Sequence, residues 1–291
     1  MVATCLMTIS PQDGSAGENP GIIDHTCTHL SKIPDSDIDL AKDLLKYHYA
    51  HTSHGSQLVA GLSVIETNYD NCSYAYEDNN LPQENDALCI FNGQLTATYI
   101  TPGLYWQNEG GMDETRAVLS NNSQLNVSMW AWCSELNSYS ESQVQAYLDS
   151  ISVLESEFPG VTFIYMTGNA QETGAGGYNR YLRNQQIRQF CRDNNKVLYD
   201  FADLDCWYYN GVSGEWEFST YLYEGTEVPV EHPQFNGDEA SHTTWESCEQ
   251  KGKAVWHMSA FLAGWRDTTA VGDSSWGEVK SMFSKAGRDS S

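Results

Sequence analysis

Apolar residues recur along this chain at helical spacing in some stretches and gather into short continuous runs between them. Ile38, Ala41, Leu44 and Leu45 mark one face of a helix over about 36–46, and a short strand through Tyr47–Ala50 follows. Leu58, Val59, Leu62 and Ile65 give the next helix a buried stripe. Residues 68–115 read as irregular, with Asn/Asp-rich turns around strand-like "ALCIF" and "TATYI", and close on "NEGGMDETR", a Gly pair leading into a polar helix start. "LNVSMWAWC", Leu125–Cys133, reads as a buried strand. Ser140 and Gln143 form a capping box for a helix carrying Val144, Tyr147, Leu148, Ile151 and Leu154, which Pro159-Gly160 stops. "VTFIYMTG", Val161–Gly168, is a strand followed by a Gly-rich loop, a helix over about 178–193 and the strand "KVLYDF". Residues 205–245 are aromatic and turn-rich without clear periodicity, and a last helix spans about 250–265 with Ala254, Val255, Met258, Phe261, Leu262 and Trp265 inward. Strands alternating with amphipathic helices predict an α/β fold whose parallel sheet is covered on both faces.

No internal repeat or linker divides the chain. The pattern predicts an extended N-terminal segment over 1–23, which includes the loop "SPQDGSAGENPG", one domain over 24–267, and a C-terminal tail with a short helix over 268–291. The 291 residues are long enough to bury a substantial core, and 40% of them are hydrophobic. The 39 acidic residues against 15 basic give a net charge of -24, which argues against nucleic acid and anionic membrane surfaces as partners. No stretch approaches the roughly 20 apolar residues of a membrane span. Eight Cys, 17 Tyr and 9 Trp in a Lys-poor chain, with N-x-[ST] sequons at Asn71, Asn121 and Asn126, point to a secreted or cell-surface glycoprotein.

Candidate chemistry starts in "YAHTSHGSQLVAGL", Tyr49–Leu62, where two serines and two histidines precede an apolar helix. Ligands of open parallel sheets sit beyond the carboxyl ends of the strands. The Ser53 loop, the Gly110-Gly111 loop and the end of the Trp132-Cys133 strand fall there, and the His242 loop returns to the same edge. A serine hydroxyl becomes a good nucleophile when an imidazole accepts its proton, so Ser53 and His242 form a candidate pair that only the fold can bring together. The plainer reading makes Ser53 or Ser56 a cap of the following helix. His48, His51 and His54 are spaced by threes, but His48 and His51 would point to opposite faces of a strand and no carboxylate cluster completes a metal site. Glu239 and Asp238 precede His242 at spacings that could orient its ring.

The stretches "DHTCTHLSKIPD", "YAHTSHGSQL", "MWAWC", "VTFIYMTGN", "NNKVLYDFADLD" and "CEQKGKAVWHMSAFLAGW" resemble an uncharacterised secreted branch of the SGNH (GDSL-like) hydrolase superfamily, over most of the chain. The resemblance implies a flavodoxin-like three-layer α/β/α sandwich with a central parallel sheet. It also implies hydrolysis of carboxylic esters, often acetyl groups on carbohydrate, without a metal or organic cofactor. Carried over, Ser53 becomes the nucleophile and an oxyanion donor through its own N–H, Gly111 the second oxyanion donor, and Glu239 with His242 the final acid–base block, Asp238 being a rival acid. The Asn expected as third donor after the third strand meets "WCSELN": Cys133 stands near its place, and Asn137 lies farther on.

Two functions follow as expectations. One is a secreted serine esterase acting on a glycan or small-molecule ester. The other is a non-catalytic surface protein that binds carbohydrate or self-assembles into homo-oligomers, for which the Tyr- and Trp-rich loops at 99–106 and 207–223 would serve. The cysteines show no CxxC pair, which disfavours a zinc ribbon or a thioredoxin-like motif. A Cys206–Cys248 bridge would close the irregular segment around His242, and Cys72 with Cys89 would bracket the other irregular region. Cys133 and Cys191 are expected to stay free.

Overall fold

The computed structural model describes residues 21–267, so the entry loop and the tail helix expected from the sequence lie outside the described residues. Seven strands form one all-parallel sheet: β1 (Ile22–Ile23), β2 (Lys46–His51), β3 (Tyr74–Asp78), β4 (Leu88–Asn92), β5 (Val127–Ala131), β6 (Thr162–Met166) and β7 (Leu198–Tyr199). Their order is β1-β7-β6-β5-β2-β4-β3. The helices are α1 (Asp35–Leu44), α2 (Ser56–Asn68), α3 (Glu109–Asn121), α4 (Glu141–Glu157), α5 (Gly174–Asp193), α6 (Phe201–Cys206) and α7 (Trp245–Leu262). α1 and α2 pack on α7 to make one layer, and α4 packs on α3 and α5 to make the other. The result is the three-layer α/β/α sandwich.

The sequence pattern explains the core. Every residue of β4 and β5 is buried, as is all of β2 beyond Lys46, which is why these strands read as continuous apolar runs. The exceptions are paid with hydrogen bonds: buried His48 reaches Ser128 Oγ (2.9 Å) and the Gly93 carbonyl (3.0 Å). His51 reaches the Thr52 carbonyl (2.8 Å) and the Tyr76 hydroxyl (3.1 Å), so the three evenly spaced histidines diverge. The Ser140–Gln143 capping box is present, and the five apolar residues expected on the inner face of α4 are all buried. α2 and α7 meet at Gly61 and Gly252, where a Cβ on Gly61 would run into the Cys248 carbonyl and the Gly252 amide.

Several elements differ from expectation. "TATYI" is no strand. Gln94 and Ala97 exchange backbone hydrogen bonds in a tight turn (2.8 Å each), and Ile100 is buried by donating its N–H to the His51 carbonyl. "YAYED" forms β3 inside the region read as irregular; its alternation is masked by the Asn/Asp-rich flanks. "KVLYDF" keeps two strand residues, because Asp200 turns the chain by capping α6 and taking a two-pronged pair from Arg188 (2.6 and 2.7 Å). Ile22 and Ile23, within the expected extended segment, join the sheet beside β7. The aromatic segment after α6 folds into two hairpins, β8–β9 (Trp207–Asn210 with Glu215–Phe218) and β10–β11 (Thr220–Tyr223 with Thr226–Pro229).

Cys206 and Cys248, and likewise Cys72 and Cys89, are free thiols, as are Cys133 and Cys191. The Asn126 carboxamide, in one of the sequons, bonds the backbone of both Leu44 and Lys46 and so splices the end of α1 to β5. Among the described residues no helix is long and apolar enough to cross a membrane.

Candidate active site

From β2 the chain runs outward to β3, comes back to β4, and then crosses to β5 on the other side of β2. The reversal leaves a crevice beyond the carboxyl ends of β2 and β5, where open α/β sheets bind their ligands. β2 delivers Thr52–Gly55 to it and β5 delivers Trp132–Cys133. Gly55 lets the first loop turn tightly: a side chain there would strike His51, Ala131 and the Tyr49 hydroxyl, and that hydroxyl donates to the Gly55 carbonyl (2.6 Å). The turn then winds into α2, with the N–H groups of Ser56, Gln57 and Leu58 bonded back to the carbonyls of Ser53, His54 and Gly55.

Cys133 is the centre of the constellation. His54 Nδ1 lies 3.0 Å from its Sγ, and Ser53 Oγ lies 3.5 Å away. The backbone of Cys133 is pinned on both sides: its N–H donates to Glu135 Oε2 (2.8 Å) and its carbonyl accepts from Asn169 Nδ2 (2.6 Å). Partial burial pushes the thiol up, but hydrogen bonds from His54 and Ser53 and the charge of the imidazolium outweigh it, and the thiol comes down to about 6. Burial likewise opposes charge on His54, yet its bonds to Cys133 and to Gln171 raise the imidazole above its ordinary value. Both shifts move the pair toward thiolate and imidazolium, in a loop that leads into the N-terminus of α2. The far nitrogen, His54 Nε2, meets Gln171 Oε1 at 2.8 Å. Nucleophile, imidazole and orienting side chain stand in one line, the arrangement that activates nucleophiles on unrelated folds.

Compared with known proteins, the chain matches no family model and no curated protein.

Of the residues singled out from the sequence, Ser53 and His242 reach this crevice, but the Ser53 hydroxyl neighbours the Cys133 sulfur. His242 lies over His54, ring centroids 5.1 Å apart, with its Nδ1 3.9 Å from Asp238 Oδ1; both side chains are open to solvent. Ser241 and His242 adopt consecutive positive φ values of 53° and 73°, which non-glycine residues rarely accept. The rim holds them there: Ser56 Oγ meets Ser241 Oγ (2.7 Å), and Gln57 Nε2 donates to the Ser241 carbonyl (2.8 Å).

The other expected residues are turned to structural work. The Glu239 carboxylate accepts the Trp245 N–H at the start of α7 (2.9 Å). The Gly111 N–H is taken by Asn108 Oδ1 in the cap of α3 (3.1 Å). Asn137 instead packs toward Gly176 near the start of α5, with its Oδ1 buried and without a hydrogen-bond partner. His54 and Gln171 had not been singled out as catalytic. Both sit in loops directly after the carboxyl ends of strands, which is the signal that could have found them.

Among the described residues one group, Asp24, His25 and Asp203, brings His and carboxylate ligand atoms within 4.8 Å of one another. Those atoms already have partners: His25 Nδ1 is 2.5 Å from Asp203 Oδ1, and Asp24 Oδ1 accepts from the Thr26 N–H and hydroxyl (3.0 and 2.6 Å). The group is a buried ion pair tying the turn after β1 to α6.

Proposed function

We propose that this protein hydrolyses carboxylic esters through a covalent acyl-enzyme, with Cys133 rather than Ser53 as the attacking atom. The observation that carries this reading is the Cys133–His54 contact at the crevice, with Gln171 behind the imidazole. The thiolate adds to the ester carbonyl, and the Ser53 hydroxyl beside it is the side-chain donor available to the oxyanion. His54 gives its proton to the leaving alkoxide, so that alcohol departs and a thioester remains. His54 then takes a proton from water, whose oxygen displaces the thiolate and releases the acid. The resemblance to SGNH hydrolases supports ester chemistry at this sheet edge.

The test pairs variants with probes. Cys133→Ala should lower hydrolysis of a small aryl acetate by at least about 10³-fold. Ser53→Ala should leave a thioester intermediate detectable at reduced rate. Iodoacetamide should modify Cys133 ahead of the other cysteines. A fluorophosphonate that labels Ser53, with turnover lost in Ser53→Ala and kept in Cys133→Ala, would restore the serine as nucleophile.

One observation favours the non-catalytic reading: an open cleft of about 260 Å³ at the same sheet edge near β1, lined in part by His29, Tyr209, Trp216, Glu246 and Lys253, whose rings and polar groups suit a sugar. Folded protein that neither reacts with these probes nor cleaves esters would leave that role standing.

A further inference from the structure

Behind Gln171 stands a carboxylate that the chemistry above does not use. Glu231 follows β11, is 7% exposed, and is anchored by its N–H donating to the Ala170 carbonyl (2.8 Å). Its Oε1 accepts from Gln171 Nε2 at 3.1 Å and lies 3.1 Å from Thr243 Oγ1, whose single hydrogen also has the Phe235 carbonyl within reach at 2.9 Å. The second hydrogen of Gln171 Nε2 goes to the His242 carbonyl at 2.6 Å. A carbonyl and an ionised carboxylate can only accept, so with both in place the amide cannot turn over. Gln171 Oε1 must then face His54 Nε2, which makes Nε2 the protonated nitrogen and leaves Nδ1 to exchange its proton with Cys133.

We propose that Glu231 is a positioning residue of the nucleophilic centre, locking the Gln171 amide and, through it, the form of His54 that can ionise Cys133. The same amide holds the His242 carbonyl, so one side chain clamps both histidines at the rim. This inference rests on the thiolate reading of the site.

The lock needs Glu231 Oε1 as an acceptor. Around Glu231 stand Asp205 from α6, Lys251 and Cys248 from α7, and Thr243 from the rim loop. The Lys251 ammonium is committed to Asp205 Oδ1 (2.7 Å) and Ser247 Oγ (2.5 Å), so it only partly offsets the acid. Burial and the Asp205 charge hold the Glu231 carboxyl up at about 7, against the bonds from Gln171 and Thr243. Below that pH a proton on Oε2 leaves Oε1 accepting from Gln171 Nε2, so the lock is kept where Cys133 ionises.

The test reads the thiolate itself, independently of turnover. Iodoacetamide alkylation is followed against pH and corrected with Cys133→Ala, and the wild-type midpoint should fall at about 6. Glu231→Gln, similar in shape but no longer an obligatory acceptor, should raise the midpoint by about 0.5–1 unit. In a Gln171→Leu background the same substitution should add nothing further, because Glu231 acts through that amide. A midpoint unchanged in Glu231→Gln, or an equal shift in both backgrounds, would overturn the proposal. A wild-type midpoint near the ordinary thiol value of about 8.5 would overturn it together with the thiolate reading. A midpoint of about 6 without ester turnover would remove the hydrolase and leave the lock to be judged on these shifts. Should Glu231→Gln fail to fold, ring ¹⁵N shifts of the wild type decide instead. Neutral His54 at alkaline pH should carry its proton on Nε2, and a proton found on Nδ1 would refute the lock.

Discussion

At position 133, near where the sequence led us to expect an amide donor, stands a thiol, and the difference changes what the residue can do. An amide donates to an oxyanion, whereas a thiolate is itself an anion and can only attack or repel. Cys133 is lowered to about 6 by its neighbours while His54 is raised above its ordinary value, so a pH window exists in which the first has lost its proton and the second has kept one. Activity should therefore rise through about 6 as the thiolate forms and fall on the alkaline side as the imidazolium loses the proton needed by the leaving group. A kcat/KM profile measured on an aryl acetate checks this. A single ascending limb with a midpoint of about 6 to 7 and no alkaline fall would instead suit an imidazole acting as base toward Ser53.

At the scale of elements, the packing of α2 on α7 sets the site, because α2 begins just after His54 and α7 begins just after His242. Gly61 and Gly252 let the two helices approach closely, with backbone against backbone. Gly61→Ala should cost about 2–3 kcal/mol of stability in urea unfolding, since the methyl group meets a carbonyl that cannot move aside. Gly160→Ala, where an added Cβ would meet nothing within 4 Å, should stay within about 0.5 kcal/mol. The forced separation should also weaken the Gln57–Ser241 and Ser56–Ser241 contacts. The slowing of alkylation at Cys133 should then exceed what stability loss alone produces.

For the whole molecule, a net charge of -24 is carried on a fold whose buried charges are mostly paired internally, among them Arg188–Asp200, His25–Asp203 and Lys251–Asp205. The excess acid therefore lies largely at the surface, where it repels itself over distances that salt screens. Raising NaCl from about 0.02 to 0.5 M should stabilise the protein by about 1 kcal/mol, or roughly 2–4 °C in melting temperature. A melting temperature that falls across that range would show that attractive surface pairs dominate.

The sequence by itself determined the sandwich. Doubly buried strands such as β4 and β5 must be apolar throughout, and helices such as α4 must show a stripe, so burial writes itself into the order of residues. Local chemistry was legible for the same reason: the Ser140 box depends on neighbours a few positions away. β3 and the hairpins after α6 were not legible, because short, half-exposed strands carry weak alternation and take their register from partners. The reactive centre was decided by tertiary structure alone. His54, Cys133, Gln171 and Glu231 are separated by dozens of residues, and none is unusual until the crossing between β2 and β5 sets one beside the next. The topology brings the Ser53 and His242 loops to one edge. Which atom faces which was fixed only when the amide of Gln171 found its two acceptors.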